Sequence, residues 1–303
     1  MPKQTKYTPA NIIRALRLPF IAASCFPFIF GSLIERENFD FAGFFLGLVA
    51  VAAAHLSANL ANDYFDSKGL ADWQDRRFFG FFGGSKLIQE GVFTESFYLR
   101  ASLSLAAVSF ISVLILTVIL NNLLALFVFC IVIVLSWQYT AKPLSFSYKG
   151  LGEFFIFLFF GPVTVMGGYF IQTGIFPDLM SFLLGLPFGF FTLAILLANE
   201  IADYPDDRKV GKKTWPVLLG AEKGYIAYFF VISLGFSAIL LGAYLRYLGL
   251  FSVLSVLLIP QAIKGGVILK DYYSDKLILL RSSRLVINLQ AQVSMILILS
   301  LII

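Results

Sequence analysis

Long apolar runs separated by short polar breaks dominate the chain. The runs fall at about 18–34, 41–61, 99–120, 122–138, 153–173, 179–199, 224–245, 248–263 and 285–303. A helix needs about 20 apolar residues to cross the hydrocarbon of a bilayer. The pattern therefore predicts an all-α, polytopic integral membrane protein with about nine transmembrane helices. The breaks between runs are unequal. Alternate ones, such as Asn121-Asn122 and Thr173 to Asp178, are short, and the others are long and polar.

Charge orients these elements. With the N-terminus on the cytoplasmic side, only Arg36 and Arg246 of the 23 Lys and Arg residues fall outside. Glu35, Glu37, Asp40 and Asp178 are the acids on the outer side. The net charge of +5 then divides as +7 inside and −2 outside, as the positive-inside rule requires. The expected location is a bacterial inner membrane with the polar loops facing the cytoplasm. The basicity needs no nucleic acid to explain it. Lys3, Lys6, Arg14 and Arg17 precede the first run, which reads as a retained first membrane helix rather than a cleaved leader.

Composition agrees. Hydrophobic residues make up 59% of the 303, and only 14% are charged, too few to clothe a soluble domain of this size. A disordered chain is equally excluded. Cys25 and Cys130 both sit in apolar runs and offer neither a disulfide framework nor zinc spacing. About half of all charged residues lie in two short windows, 63–100 and 199–223.

Those windows contain an internal repeat. Ala58-Asn59-Leu60-Ala61-Asn62-Asp63-Tyr64-Phe65-Asp66 and Ala198-Asn199-Glu200-Ile201-Ala202-Asp203-Tyr204-Pro205-Asp206 match at a shift of 140. The repeat predicts two parallel four-helix halves, about 15–140 and 150–265, with an extra helix at 285–303, all in one domain. The acid clusters would then face each other at one end of a shared cavity. Asn59, Asn62, Asp63 and Asp66 follow i, i+3, i+4, i+7 spacing and share a helix face. Asn199, Asp203 and Asp206 or Asp207 do the same, while Asp72 and Asp75 extend the first cluster and Glu200 the second. Carboxylates this close repel one another unless a cation neutralises them. Oxygen-only ligands suit Mg²⁺, which typically shares one or two carboxylates with substrate phosphates.

Basic residues follow each cluster: Lys68, Arg76, Arg77 and Lys86, then Arg208, Lys209, Lys212 and Lys213. Some anchor the membrane face; others can neutralise a diphosphate. Lys142, next to Tyr139, lies on the same side. Phe78, Phe79, Phe81 and Phe82, spaced by Gly80, Gly83 and Gly84, form an interfacial segment or a lid. His55, one turn before Asn59, reads as a satisfied structural histidine. With a single histidine, a hydrolase triad has no support.

These residues resemble the UbiA superfamily of intramembrane prenyltransferases. Asn62 to Asp66 with Gly69 and Asp72 is similar to its first Asp-rich motif. Asn199 to Asp207, followed by Arg208 and Gly211-Lys212-Lys213-Thr214, is similar to its second. Arg17-Leu18-Pro19 and Gly83-Gly84-Ser85-Lys86 also match. Within the family, Lys149-Gly150-Leu151-Gly152-Glu153 and Phe159-Phe160-Gly161-Pro162 resemble the 1,4-dihydroxy-2-naphthoate branch of menaquinone synthesis. There are two departures: Asp66 and Asp72 stand six apart, and Lys86 replaces an arginine common in relatives.

The resemblance implies helices ringing a cavity and Mg²⁺-dependent transfer of a polyprenyl group from its diphosphate to an aromatic acceptor. The expected catalytic residues are Asp63, Asp66, Asp203 and Asp207. The expected metal ligands are these four with Asn62, Asp72 and Asp206. Asn59, Asn62, Lys86, Tyr139, Lys142, Asn199, Arg208 and Lys212 would bind substrate. Other acceptors (4-hydroxybenzoate, homogentisate, a chlorin, haem or a glycerol phosphate lipid) are alternatives within the family. An ion or anion transporter is the alternative outside it, but the nearly uncharged outer halves of the helices argue against a path across the membrane.

Overall fold

A computed structural model describes residues 7–37 and 39–303; Lys3 and Lys6 lie outside the described residues. These residues contain helices and no strand. The helices are α1 Pro9–Ala15, α2 Ala22–Leu33, α3 Phe41–Lys68, α4 Glu95–Ile119, α5 Leu124–Trp137 and α6 Gly152–Leu158. They continue as α7 Thr164–Thr173, α8 Leu179–Lys209, α9 Trp215–Leu219, α10 Gly224–Tyr244, α11 Ile259–Asp271 and α12 Lys276–Ile302. A π turn over Phe159–Val163 carries α6 into α7, so Gly152–Thr173 acts as one long element.

Seven helical segments among the described residues are long and apolar enough to cross a bilayer. An eighth forms if α1 and Leu18–Leu33, which meet at 51°, are taken as one span. Arg17, at φ 51°, makes that bend. The fourth expected span is α5, an apolar helix of only 14 residues. Large apolar side chains such as Phe45, Ile111, Phe127 and Phe230 are exposed outwards, where a lipid environment would cover them.

Local chemistry explains where the long helices begin. The side chains of Asp40, Thr94, Asp178 and Asp275 cap α3, α4, α8 and α12 by accepting from backbone N–H groups of the first turn. Several helices run past the apolar segments that announce them. Helix α3 continues to Lys68 and α8 to Lys209. Both acid motifs therefore sit in the last turns of long helices, not in loops. Helix α12 begins at Lys276, nine residues before its apolar run. Hydropathy marks only the lipid-embedded part of a helix, and the polar turns beyond it are invisible to that signal.

Small residues let these helices approach. Ser57 and Ser102 each donate to the other's carbonyl, at 2.9 and 2.8 Å, and Ser109 donates to Ala50 O at 2.6 Å, riveting α3 to α4. Hydroxyl-to-carbonyl bonds of this kind are typical glue between membrane helices. Gly185 and Gly189 on α8 lie against the π turn. A methyl group at Gly185 would stand 2.6 Å from Pro162 Cα. The Gly185→Ala change should therefore cost about 1–3 kcal/mol through overpacking. Gly167→Ala, whose added methyl meets nothing within 4 Å, should leave the melting temperature in detergent unchanged or slightly raised. Equal melting temperatures for the two variants would refute this packing.

Candidate functional site

A cavity of about 410 Å³ runs between α3 and α8. On α3 its wall is Gly47, Ala50, Val51, Ala54, His55, Ala58, Asn59, Asn62 and Asp66, a stripe at three- and four-residue intervals. On α8 the matching stripe is Thr192, Ile195, Leu196, Asn199, Glu200, Asp203, Asp206 and Asp207. Both stripes are apolar at one end and acidic at the other. From Gly47 to Asp66 the α3 stripe extends about 28 Å at 1.5 Å per residue, near the thickness of a bilayer's hydrocarbon core. Phe28, Phe129, Phe159, Phe160, Phe170 and Phe176 line the deeper part. His55 also lines it, with Nδ1 2.7 Å from Ser24 Oγ and its ring edge-on to Phe160, so it is both satisfied and cavity-facing.

At the polar end, cations from four different segments hold the aspartates. Lys212 lies 3.2 Å from Asp66 Oδ2 and 3.4 Å from Asp207 Oδ1, tying α3 to α8. Lys86 reaches Asp72 Oδ1 at 3.0 Å and its carbonyl at 2.9 Å. Lys276, at the start of α12, bridges Asp206 at 2.6 Å and Asp75 at 3.1 Å. Arg17 pairs with Asp63.

The loop after α3 supplies further donors. Gly83 N–H donates to Asp203 Oδ2 at 2.9 Å and Ser85 N–H to Asp63 Oδ2 at 3.1 Å. Gly84 holds φ +77° and passes so close to Asp72 that a Cβ would meet its Oδ2 at 2.7 Å. The glycines of this segment thus let one loop reach acids in both motifs. Phe81 and Phe82 line the cavity, Phe79 and Phe82 are buried and stacked at 5.1 Å, and Phe78 is exposed under the Arg14 guanidinium. The aromatic run is packed over the cavity end.

The electrostatics outside the membrane spans follow from these contacts. Burial by itself would lower the pKa of Lys212, but the carboxylates of Asp66 and Asp207 outweigh it and hold the ammonium well above its usual range. Burial pushes the Asp72 carboxyl up to about 7, with Lys86 pulling the other way. Hydrogen bonds from the Arg77 side chain, supported by Lys276, hold Asp75 well below the usual carboxylate range. Burial and then Asp66 raise the Tyr148 phenol, which donates to Asp66 Oδ1 at 3.1 Å.

Most of the expected site residues converge. Asn59, Asn62, Asp66, Asp72, Lys86, Tyr139, Asn199, Asp203, Asp206, Asp207 and Lys212 all line the cavity. Asn62 donates to Thr140 Oγ1 at 2.6 Å and to Asp66 Oδ2 at 3.1 Å. Asn59 donates to Leu16 O, and Asn199 accepts from Ser283. Asp63, Lys142 and Arg208 are not among the lining residues. Asp63 shares its spacing with the cavity stripe, yet it is 2% exposed and committed to Arg17 and Ser85. Lys142 and Arg208 are exposed, and Arg208 donates to Tyr204 OH at 3.1 Å. Lys276, Tyr148 and Thr140 reach the site unannounced. Lys276 enters because α12 starts early, which its apolar run does not signal.

The donor set suits a hard cation. Five aspartates and Asn62 line the polar end, against the cations Arg17, Lys86 and Lys212, leaving an excess of carboxylate oxygen. Among the described residues no three acidic side chains come close enough to hold a metal ion unaided. That geometry fits Mg²⁺ taken up with a phosphorylated substrate, since Mg²⁺ binds through one or two carboxylates and completes its shell with water and phosphate oxygens.

Comparison with known proteins agrees with this architecture. The profile of the UbiA prenyltransferase family matches residues 24–279. The 1,4-dihydroxy-2-naphthoate octaprenyltransferase of Haemophilus influenzae is 28% identical over 260 residues, 84% of this chain and 82% of its own. That of Escherichia coli is 30% identical over 191 residues, 61% of this chain and 60% of its own. A UbiA homologue from Aeropyrum pernix superposes with a TM-score of 0.71 at 18% identity, over 93% of this chain and 96% of that one. A UbiA homologue from Archaeoglobus fulgidus bound to GPP and Mg²⁺ superposes with a TM-score of 0.65 at 16% identity, over 95% and 99%.

The Arg17–Asp63 pair makes a sharp prediction. Asp63→Asn should lower stability by about 1–3 kcal/mol, the cost of leaving one partner of a buried charged hydrogen bond unmatched. The double change Arg17→Gln with Asp63→Asn should cost less than the sum of the two single changes. Thermal melts of the four proteins form the double-mutant cycle that tests this; simple additivity would show that the pair does not couple.

Proposed function

The chain belongs to the UbiA prenyltransferase family, and from that premise we propose that it transfers a polyprenyl group from an allylic diphosphate to 1,4-dihydroxy-2-naphthoate, with loss of carbon dioxide, in menaquinone synthesis. The observation that carries the proposal is the cavity itself: about 16 Å of largely apolar wall along α3 from Gly47 to Ala58, continued by phenylalanines of other helices and ending in aspartates and lysines. An isoprenoid tail fits the apolar length and a diphosphate the charged end. The naphthoate relatives support the acceptor.

The residues take the following roles. Asn62, Asp66 and Asp72 on one wall, with Asp203, Asp206 and Asp207 on the other, would hold Mg²⁺. When bound, Mg²⁺ would supply positive charge that stabilises the leaving diphosphate. Lys86 and Lys212 neutralise remaining diphosphate oxygens as the allylic C–O bond breaks. Asp63 supports the site through Arg17 and Ser85 rather than as a ligand. The phenylalanine walls exclude water that would quench the allylic cation. The aromatic ring attacks that carbon, a C–C bond forms, and the ring carboxylate leaves as carbon dioxide. In the membrane the chain forms nine spans as two four-helix halves and a final helix within one domain, α5 counting as a short span. The acid clusters and the N-terminus face the cytoplasm of a bacterial inner membrane.

Asp66→Ala and Asp203→Ala should each abolish Mg²⁺-dependent release of diphosphate from a polyprenyl diphosphate while the protein still folds, as judged by its melting profile. Full activity in either variant would exclude the two-wall site. Purified protein given geranylgeranyl diphosphate, Mg²⁺ and a panel of aromatic acceptors should prenylate dihydroxynaphthoate. Product with another acceptor and none with this one would move the chain to a different branch.

A further inference from the structure

Beside the aspartates, the cavity wall carries further buried polar atoms. Ser147, Glu200 and Thr214 all line the cavity and are 5%, 6% and 3% exposed. Among the described residues, Ser147 Oγ, Glu200 Oε2 and Thr214 Oγ1 find no hydrogen-bond partner. Buried polar atoms left unpaired are costly; with Thr192 Oγ1, two turns before Glu200 on α8, four such atoms belong to residues of this cavity wall, a place where a ligand can supply the partners.

Their neighbours bring them together. Ser147 N–H donates to Tyr139 O at 2.9 Å. Gly152 packs against both residues: a Cβ there would lie 3.1 Å from Ser147 Cα and 3.2 Å from Tyr139 Cε2. Glu153 follows Gly152, accepts from Trp215 N at 2.5 Å and neighbours Glu200. That bond fixes Thr214, the residue before Trp215. Thr214 occupies the N-cap position of α9 yet makes no side-chain cap. A capping threonine normally accepts from the first turn; here the hydroxyl is left for the cavity. Next to Ser147, Tyr148 donates to Asp66. The cluster therefore adjoins the diphosphate end on the side of Lys212.

We propose that Glu200 Oε2, Ser147 Oγ and Thr214 Oγ1 form a subsite for the phenolic hydroxyl of the aromatic acceptor and hold its ring beside the diphosphate end of the cavity. The assignment rests on the prenyl-transfer reading above. A buried carboxyl group and the serine and threonine hydroxyls can each exchange a hydrogen bond with a hydroxyl. The subsite thus suits the hydroxyl edge of the acceptor.

The test uses the full chain with Mg²⁺, geranylgeranyl diphosphate and dihydroxynaphthoate, comparing wild type with Glu200→Gln, Ser147→Ala, Thr214→Val and Thr214→Ser. Each of the first three should raise the acceptor KM about tenfold, the worth of one buried hydrogen bond, with the KM for the diphosphate unchanged. Thr214→Ser, which keeps the hydroxyl, should restore the wild-type value. A methyl ether of the acceptor hydroxyl should weaken binding to the wild type but add little in Thr214→Val or Glu200→Gln, because the same bond cannot be lost twice. A wild type that prenylates dihydroxynaphthoate while all variants keep its acceptor KM overturns the subsite alone. A wild type that binds the diphosphate with Mg²⁺ but neither binds nor prenylates any hydroxylated acceptor overturns the subsite together with the prenyl-transfer reading. If Glu200→Gln does not fold, the Thr214→Val and Thr214→Ser comparison still decides.

Discussion

Lys212 stands between Asp66 on α3 and Asp207 on α8, and the arrangement of the charged end turns on that contact. Two carboxylates on facing helices, at the mouth of an apolar cavity, repel one another in a medium that screens poorly. An unpaired buried charge costs several kcal/mol, more than a small domain can tolerate repeatedly. The chain resolves this by drawing cations from other segments to most of these acids, Arg17 for Asp63, Lys86 for Asp72 and Lys276 for both Asp75 and Asp206, while Asp203 takes a backbone N–H from Gly83. The cations thus close the bundle as well as balancing it. Under the proposed reading, a diphosphate with Mg²⁺ would enter a site whose carboxylates are already spaced and oriented.

The loop after α3 follows from the same constraint. Its backbone N–H groups reach Asp63 and Asp203, and Lys86 reaches Asp72. Gly83 and Gly84 both hold positive φ, and a side chain at Gly84 would collide with Asp72, so glycines sit at the crossing. The neighbouring phenylalanines bury apolar area against the bundle and anchor the loop that carries these donors. Polar positioning and apolar anchoring alternate within a few residues because the segment lies where water, protein and lipid meet.

Much of this was legible in the sequence, and the exceptions have physical causes. Apolar runs located the helices, since hydrocarbon demands them; the polar extensions of α3, α8 and α12 escaped because nothing apolar marks them. The 140-residue repeat pointed to α3 and α8 as facing walls. It also paired Asp63 with Asp203, and there the two copies part: Asp203 lines the cavity while Asp63 is held by Arg17. Asn62 corresponds to Ala202 in the second copy, so the two stripes use different residues of the same motif. Periodicity gives a face only to within a residue, and the packing partner decides the rest. Lys276 and Ser147 come from segments with no local pattern, and only the assembled bundle reveals them.

The two polar groups of the cavity divide the work of specificity. Under the proposed reading, the charged end would attract any allylic diphosphate, because its contacts read charge, and charge is common to all such donors. The apolar wall reads chain length only loosely, since one further apolar contact changes binding by a small increment. Selectivity for the acceptor therefore needs directional hydrogen bonds. A site with buried hydroxyl and carboxylate groups rejects a ligand that leaves them unpaired far more strongly than an apolar pocket rejects a poor fit. Ser147, Glu200 and Thr214 are such groups, set on the α6, α8 and α9 side, away from the loop that clamps Asp72 and Asp203.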